Sequence, residues 1–162
     1  ALNYRYLGTF RTTSTTTTED SVTKRFLWNA NNRVARSFSK WESTGSWVYN
    51  SGSWRALNNS TTNRVEAVIG VAETLVELTI SELMVSTLNV STGVGMCIDC
   101  TNTSHTVPAL TAVNANYQLH CPQYRGYPAA GYHYFQAVEY GAGGTNTFHG
   151  GSYGAMTGRF EG

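Results

Sequence analysis

Apolar side chains recur at every second position in several stretches of this sequence, and that period constrains the fold more than any other feature. In residues 76–81, valine, leucine and isoleucine alternate with glutamate, threonine and serine, and residues 65–71 and 131–140 show the same spacing. Successive side chains of a β-strand point to opposite faces, whereas a helix needs apolar side chains every three or four positions. The pattern therefore predicts an antiparallel β-sandwich whose strands are covered on both faces.

Clusters of Asn, Gly, Ser and Thr separate the predicted strands. Through the first hundred residues they recur roughly every 8 to 12 positions, which is typical of sandwiches and barrels. The 162 residues suit one domain with its own core. Residues 100–131 differ, because they hold all three prolines and a single charged side chain, Arg125. We predict one all-β domain over residues 1–162, with residues 100–131 as a long irregular loop excursion of the kind that often carries binding residues.

The charge of the chain is small overall but unevenly spread. The net charge is +1, which argues against a nucleic-acid partner. Residues 1–64 hold nine basic and three acidic side chains, whereas residues 65–162 hold two and seven. Either the sheet surfaces simply differ, or the basic half of one copy meets the acidic half of another in a homo-oligomer. No apolar run approaches the roughly 18 residues that a membrane-spanning helix needs, so we expect no membrane insertion.

The stretch KRFLWNANNRVAR, residues 24–36, mixes basic and aromatic side chains. That mixture occurs on nucleic-acid surfaces, where cations meet phosphates and rings meet bases. It also fits a hairpin in which residues 24–28 and 33–38 are strands and the Asn-rich residues 29–32 turn the chain. We predict the hairpin, because no basic groove continues elsewhere in the sequence.

Short motifs in the first half of the chain resemble a segment of the structural proteins of tailed bacteriophages. In that family, R-T-T and E-D-S motifs precede a K-R-[FY]-[LV]-W-N core and an N-R-V motif. The matching positions are Arg11–Thr13, Glu19–Ser21, Lys24–Asn29 and Asn32–Val34. The resemblance spans most of the chain and is strongest over residues 4–75.

The resemblance implies a jelly-roll-like β-sandwich that forms a homotrimer and belongs to a fibre, spike or head appendage on the virion surface. Its partners would be other capsid or tail proteins and host-surface polysaccharide. A capsid cement or decoration protein and a secreted carbohydrate-binding module are the alternatives. The sequence begins at Ala1 without Met, so we expect a trimmed product, a fragment such as the distal domain of a longer protein, or a chain that has lost its initiator Met.

We predict that the chain is not an enzyme. Glycosidic cleavage needs two carboxylates roughly 5 to 10 Å apart across a groove. The close acidic pair Glu19 and Asp20 sits in a Thr-rich loop, where we expect it either to cap a helix turn or to form salt bridges with Lys24 and Arg25.

Glycan binding is the sharper hypothesis for the aromatic side chains near the long excursion. Aromatic faces stack on sugars, and polar side chains bind the hydroxyls. The candidate residues are Tyr124, Arg125, Tyr127, Tyr132, His133 and His149. The alternative is that these side chains pack loops onto the sheets or one subunit onto another.

The three cysteines, Cys97, Cys100 and Cys121, allow several states. A disulfide from Cys121 to Cys97 or Cys100 would tie the long excursion to the sandwich, and it is the state we expect. With His120 the three sulfurs would make a Cys₃His zinc set, but neighbouring side chains in a strand point to opposite faces. Three free thiols are the remaining possibility, and we predict no metal and no cofactor.

Overall fold

The computed structural model describes residues 5–106, 109–112 and 116–162. Within these residues the chain forms strands and one short 3₁₀ turn, Leu57–Asn59. The strands are β1 Gly8–Phe10, β2 Lys24–Arg25, β3 Leu27–Asn29, β4 Ala35–Trp41, β5 Trp47–Val48, β6 Arg55–Ala56, β7 Arg64–Ile69, β8 Val76–Ser86, β9 Ser91–Ile98, β10 Ala109–Ala112, β11 Gln118–His120, β12 Gln123–Gly126, β13 Gly131–Gly141, β14 Asn146–His149 and β15 Ala155–Glu161. In this described part, no helix is long and apolar enough to span a bilayer.

Strand β8 is the centre of the first sheet and is paired along both edges. β15 and β14 pair with successive parts of one edge, and β12 and β11 pair with the other edge in one continuous register. β4 extends the sheet beyond β15, and β5 extends it beyond β14. Side chains alternate regularly along β8, so Val76, Leu78 and Ile80 are buried while Glu77 and Thr79 lie on the outer face.

Strand β13 is the centre of the second sheet. β9 pairs with one edge, whereas β7 and β6 pair with the other. β10 continues the sheet beyond β9. β2 continues it beyond β7 and is parallel to that strand.

The main strands are arranged in the two sheets in the order of a jelly roll. The first sheet has the spatial order β4–β15–β8–β12, and the second has the order β7–β13–β9–β10. Two packed sheets of this order are the double Greek key of the jelly roll. The predicted all-β antiparallel sandwich of jelly-roll type is therefore confirmed.

The core lies between the two sheets and contains the side chains that the period-two pattern assigned to the inner faces. Both sheets contribute large apolar side chains that are almost fully buried. They include Val65, Ala67 and Ile69 of β7, Val94 and Met96 of β9, Phe135 and Ala137 of β13, Leu78, Ile80 and Met84 of β8, Phe148 of β14 and Phe160 of β15. Their burial supplies the main free-energy gain of folding.

The predicted hairpin over residues 24–38 does not form, because its two halves join different sheets. β2 pairs with β7 and β3 pairs with β1, whereas β4 pairs with β15. Each half buries its own aromatic side chain: Trp28 enters the core beside β7, and Phe38 stacks on Phe160 at a centroid distance of 5.2 Å. Burying Trp28 and Phe38 at separate places in the core is more favourable than pairing the two segments across a short turn.

The predicted irregular excursion, residues 100–131, is partly regular. Its three strands β10, β11 and β12 carry the chain from the edge of the second sheet to the edge of the first. These strands were hard to recognise in the sequence, because an edge strand is short and is held in place by the strand to which it pairs.

Ion pairs within the chain balance part of the uneven charge. Arg55 pairs with Glu139 at 2.7 Å, and Arg64 pairs with Glu66 at 3.0 Å, so basic residues of the first half meet acidic residues of the second. Part of the charge imbalance is therefore satisfied within one copy of the chain, which neither alternative had anticipated. The predicted pairs of Glu19 with Lys24 and of Asp20 with Arg25 also form, at 3.2 and 3.5 Å.

Candidate functional site

The structure distributes the six predicted glycan-binding side chains over three places. Tyr124, Arg125 and Tyr127 lie in or directly after β12, Tyr132 and His133 lie in β13 of the other sheet, and His149 ends β14. They do not form a single site.

Tyr124 serves packing. It is opposite Leu78 of β8, and its ring lies 5.7 Å from the ring of Phe135 in the core. Burial raises the pKa of the Tyr124 hydroxyl. Arg125 and Tyr127, in contrast, are mostly exposed and stay available to a ligand.

Tyr132 and His133 are held by partners within the chain. The Tyr132 hydroxyl donates to Glu66 at 2.6 Å, and the Arg11 guanidinium lies 3.4 Å from the centre of the Tyr132 ring. Burial, followed by the contact with Glu66, raises the pKa of Tyr132. His133 Nδ1 lies 2.7 Å from a carboxylate oxygen of Asp99, and Nε2 lies 2.9 Å from the carbonyl oxygen of residue 129. These contacts are those of structural side chains.

His149 lies at the opposite end of the first sheet from Arg125. Its ring is 5.3 Å from the ring of Tyr117, which is exposed. His149 Nε2 is buried and has no hydrogen-bond partner. His149 is opposite Leu83 of β8 and Arg125 is opposite Glu77, so both lie on the outer face of the first sheet, but at separate positions along β8.

Arg125 is part of a row of charged side chains across the outer face of the first sheet. Glu77 of β8 is directly opposite Arg125 of β12 on one side and Arg159 of β15 on the other. Its two carboxylate oxygens lie 3.3 Å from Arg125 Nε and 2.8 Å from Arg159 Nε. The two arginine side chains remain 73% and 66% exposed, so most of their donors face solvent.

A second row, of uncharged polar side chains, lies beside the first. Thr79 of β8 is opposite Gln123 of β12 and Thr157 of β15. The two rows line a shallow groove of about 470 Å³. We call this surface the arginine face, defined by Glu77, Thr79, Gln123, Arg125, Thr157 and Arg159.

The arginine face continues over β4 to an exposed aromatic ring. Ser39 is opposite Thr157, and Trp41, about half exposed, is opposite Ala155. An exposed indole ring offers a flat surface for stacking, and arginines bind carboxylate, phosphate and hydroxyl oxygens through their fork of N–H donors. Exposed ion pairs contribute only about 0–1 kcal/mol, so a ligand can replace Glu77 as the arginines' partner at small cost.

Most of the arginine face was missed in the sequence because its members are far apart along the chain. Glu77 and Thr79 are the outward positions of the alternating β8 pattern, and that pattern was the available signal. Which strands flank β8, and hence that Arg159 and Gln123 lie beside them, depends on the jelly-roll order.

A second group of polar residues lies inside the sandwich. Glu82 of β8 and Glu139 of β13 are fully buried, and Glu42 is almost so. Glu139 accepts hydrogen bonds from Arg55 and from the Trp47 indole N–H. Within the described part of the chain, neither oxygen of Glu82 has a hydrogen-bond partner.

The three buried glutamates have different pKa values. Burial, reinforced by the charges of Glu139 and Glu42, raises the pKa of Glu82 to about 9, although the nearby backbone N–H of His149 opposes this. Burial also raises the pKa of Glu139, against the effect of its contacts with Trp47 and Arg55. For Glu42, burial acts in the same direction, but hydrogen bonds outweigh it and lower the pKa. Glu82 is therefore a neutral acid at pH 7.

The cysteines pair differently from our expectation. Cys97 and Cys100 form a disulfide, and Cys121 is free and exposed. Cys97 lies next to the end of β9 in the second sheet, whereas Cys121 follows β11 at the edge of the first, and the predicted bond to Cys121 is not made. The proposed Cys₃His zinc set with His120 does not assemble either. His105 lies near the disulfide, with its Nδ1 3.9 Å from Cys100 Sγ, but disulfide sulfurs are poor metal ligands because thiolates are needed.

Comparison with known proteins adds no relative. No protein-family model matches the chain, and no curated protein matches it significantly.

Proposed function

We propose that this domain is a structural component of a tailed-bacteriophage virion, in a fibre, spike or head appendage, and that it contacts host-surface glycans through the arginine face. The resemblance of residues 4–75 to phage structural proteins motivates the first part. The jelly-roll order supports it, because jelly rolls are common in viral capsid proteins and in lectins, although a fold alone does not determine function.

The arginine face is the observation that carries the adhesive part of the proposal. Its groove combines two exposed guanidinium groups with amide and hydroxyl groups, and an exposed tryptophan lies beside it. Saccharides present hydroxyls in several directions together with flat C–H surfaces, and these side chains match both. The groove is open and shallow, as a polymer that passes over a virion surface requires.

Binding without cleavage is the favoured chemistry. Among the residues that line the groove, Glu77 is the single carboxylate, and two arginines hold it. The lining of this groove therefore does not match the two-carboxylate arrangement of glycosidases.

We further propose that the domain acts as a homotrimer. The ribbon formed by β1 and β3 exposes Leu7 and Phe10, each 66% accessible, together with Leu27. Exposed apolar side chains that lie together on one strand pair are typical of protein interfaces. Packing of these ribbons between copies would bury them around a common axis.

A binding assay tests the adhesive part. Arg125→Ala and Arg159→Ala should each weaken binding to purified envelope polysaccharide of the host by tenfold or more, because each removes charge-assisted hydrogen bonds. Arg5→Ala is the matched control, since Arg5 is an arginine outside this face whose Nη2 bonds Asn31. Wild-type binding by both test variants would refute the role of the arginine face.

The native mass tests the assembly. Light scattering should give about three times the chain mass of 17.7 kDa. A monomer would contradict the trimer and favour a cement protein that assembles only on a capsid, or a solitary carbohydrate-binding module. Those two differ in turn, since loss of a cement protein leaves adsorption intact but makes capsids fragile.

A further inference from the structure

The two lysines of the chain lie in one cleft, away from the arginine face. The sequence contains only Lys24 and Lys40, and both line an indentation of about 330 Å³. We call it the lysine cleft, defined by Lys24, Lys40, Thr61, Thr62, Arg64 and Glu66. Two distant lysines in one small cleft mark this part of the surface as chemically distinct.

The jelly roll creates the cleft where the edges of its two sheets meet. Lys24 is on β2, the edge strand of the second sheet, and is paired with Glu66 of β7. Lys40 is on β4, the edge strand of the first sheet. The two edges are joined next to the cleft, because Arg25 Nη2 donates to the carbonyl oxygen of Ser37 at 2.8 Å. The cations are therefore positioned by backbone pairing on both sides.

The cleft carries more positive than negative charge. Three cations, Lys24, Lys40 and Arg64, line it together with one carboxylate, Glu66. Glu66 already bonds Arg64 at 3.0 Å and the Tyr132 hydroxyl at 2.6 Å. Outside the cleft, Glu19 reaches Lys24 at 3.2 Å, but this pair is more than one-third exposed on both sides and is worth little.

Lys40 is the member without a partner. Its backbone pairs with Met156 of β15, but among the residues that the structure describes, none forms a hydrogen bond or an ion pair with the Lys40 ammonium group. The Lys40 side chain also borders the small internal cavity beside Met156, so its stem is held while its ammonium group can reach the cleft. A positioned ammonium group without a counter-ion favours an anion from outside.

We propose that the lysine cleft binds an oxyanion group, a phosphate, sulfate or carboxylate, carried by a saccharide. The ammonium and guanidinium groups would hold the oxyanion, and the Thr61 and Thr62 hydroxyls would bond the neighbouring sugar hydroxyls. The volume suits one or two sugar units. A nucleic acid fits less well, because no aromatic ring among the lining residues offers a base a stacking surface. This site does not depend on the arginine face or on the virion assignment.

Amine labelling tests the proposal directly, because Lys24 and Lys40 carry the only side-chain amines of the chain. The rate of acetylation at each lysine is measured by mass spectrometry, with the α-amino group as internal reference. The probes are inorganic phosphate, inorganic sulfate, a sulfated disaccharide and a galacturonate oligomer, compared at one ionic strength. We expect at least one anionic saccharide to slow labelling of both lysines threefold or more, and the preferred probe identifies the oxyanion.

Variants separate the cleft from general electrostatic attraction. Lys40→Gln should weaken binding of the protecting saccharide tenfold or more by calorimetry, whereas Lys40→Arg should retain most of it. Arg33→Gln is the matched control, since it removes one positive charge near Trp28, outside the cleft. Near-wild-type circular dichroism of Lys40→Gln would establish that it folds.

Several results would overturn the inference. They are no protection by any oxyanion, equal protection by a neutral oligosaccharide, and an equal loss of binding in Arg33→Gln and Lys40→Gln. Protection by a single-stranded oligonucleotide alone would assign the cleft to nucleic acid instead. Failure of Arg125→Ala and Arg159→Ala to reduce glycan binding would refute only the proposed function, because those side chains lie on another face.

Discussion

Glu82 should make the stability of this protein fall as the pH rises. Its carboxyl group is fully buried in the sandwich, and Glu139 and Glu42 add negative charge nearby. Among the residues that the structure describes, no partner forms a hydrogen bond with either carboxyl oxygen. In the folded protein its pKa is about 9, against 4.5 for an ordinary glutamate in the unfolded chain. Between these values the folded state keeps a proton that the unfolded state releases, so the free energy of unfolding decreases with pH.

The size of the effect follows from the pKa difference. For each pH unit above the ordinary pKa of glutamate, the free energy of unfolding falls by about 1.4 kcal/mol, until Glu82 also ionises in the folded state. The penalty is below about 1 kcal/mol at pH 5 and reaches about 3 kcal/mol at pH 7. A Glu82→Gln variant has almost the same shape and cannot ionise. It should therefore gain about 2–3 kcal/mol of stability over the wild type as the pH is raised from 5 to 7.

Urea unfolding at pH 5, 6, 7 and 8, followed by tryptophan fluorescence with the disulfide intact, measures this gap. The buried Trp28 makes the emission sensitive to unfolding. At a typical dependence on urea, the difference between the two midpoints should change by about 1 M over the range. Replacing the carboxyl group by an amide changes the free energy of unfolding by an amount that is equal at every pH. The change with pH of the gap between the two proteins therefore reports the ionisation of Glu82.

Glu73→Gln provides the matched control, because it makes the same substitution at an exposed glutamate outside the buried group. The reasoning would be refuted if the gap between wild type and Glu82→Gln stayed constant from pH 5 to 8, or if it shrank as the pH rose. Either result would mean that the folded protein does not hold a proton at Glu82.

Two further variants test the packing around the buried groups. Arg55→Ala leaves the carboxylate of Glu139 buried without its cation and should destabilise the fold by about 2–3 kcal/mol at pH 7 in urea unfolding; a double variant with Glu139→Gln should recover most of this loss, and no recovery would contradict the pairing argument. Gly70→Ala would place a methyl group 2.0 Å from the Trp28 ring and should lower the melting temperature by roughly 5 °C or more, whereas an unchanged melting temperature would show that the ring moves freely.

The sequence was informative wherever a strand alternates between a core face and another face. The outward Glu77 and inward Leu78 of β8 could be assigned from the period alone. For the aromatic strand β13 the period predicted a strand but not its core face, because Gln136 and Val138 are buried as fully as Phe135. The same rule failed for residues 24–38, because alternation assigns faces but not partners. A turn between two short strands favours a hairpin, yet Trp28 and Phe38 gain more by burial in separate parts of the core.

For the candidate sites, the sequence indicated which residues could bind a ligand more reliably than it indicated which residues lie next to one another in the fold. Arg125 was predicted as a contact residue and is exposed, but Glu77 and Arg159 come next to it only in the folded sheet. The pairing of Cys97 with Cys100, where Cys121 had been expected, reflects the distance between two sheet edges, which no spacing in the sequence encodes.

The sequence by itself determined the all-β class and the apolar inner faces of β7 and β8, because these follow from local periodicity and the free energy of burying apolar side chains. Only the tertiary structure decided the strand order, the row of Glu77 between two arginines, the meeting of Lys24 with Lys40, and the raised pKa of Glu82. Each of these depends on residues far apart in the chain, whose approach is set by packing over the whole domain, and an electrostatic environment exists only once those residues are together.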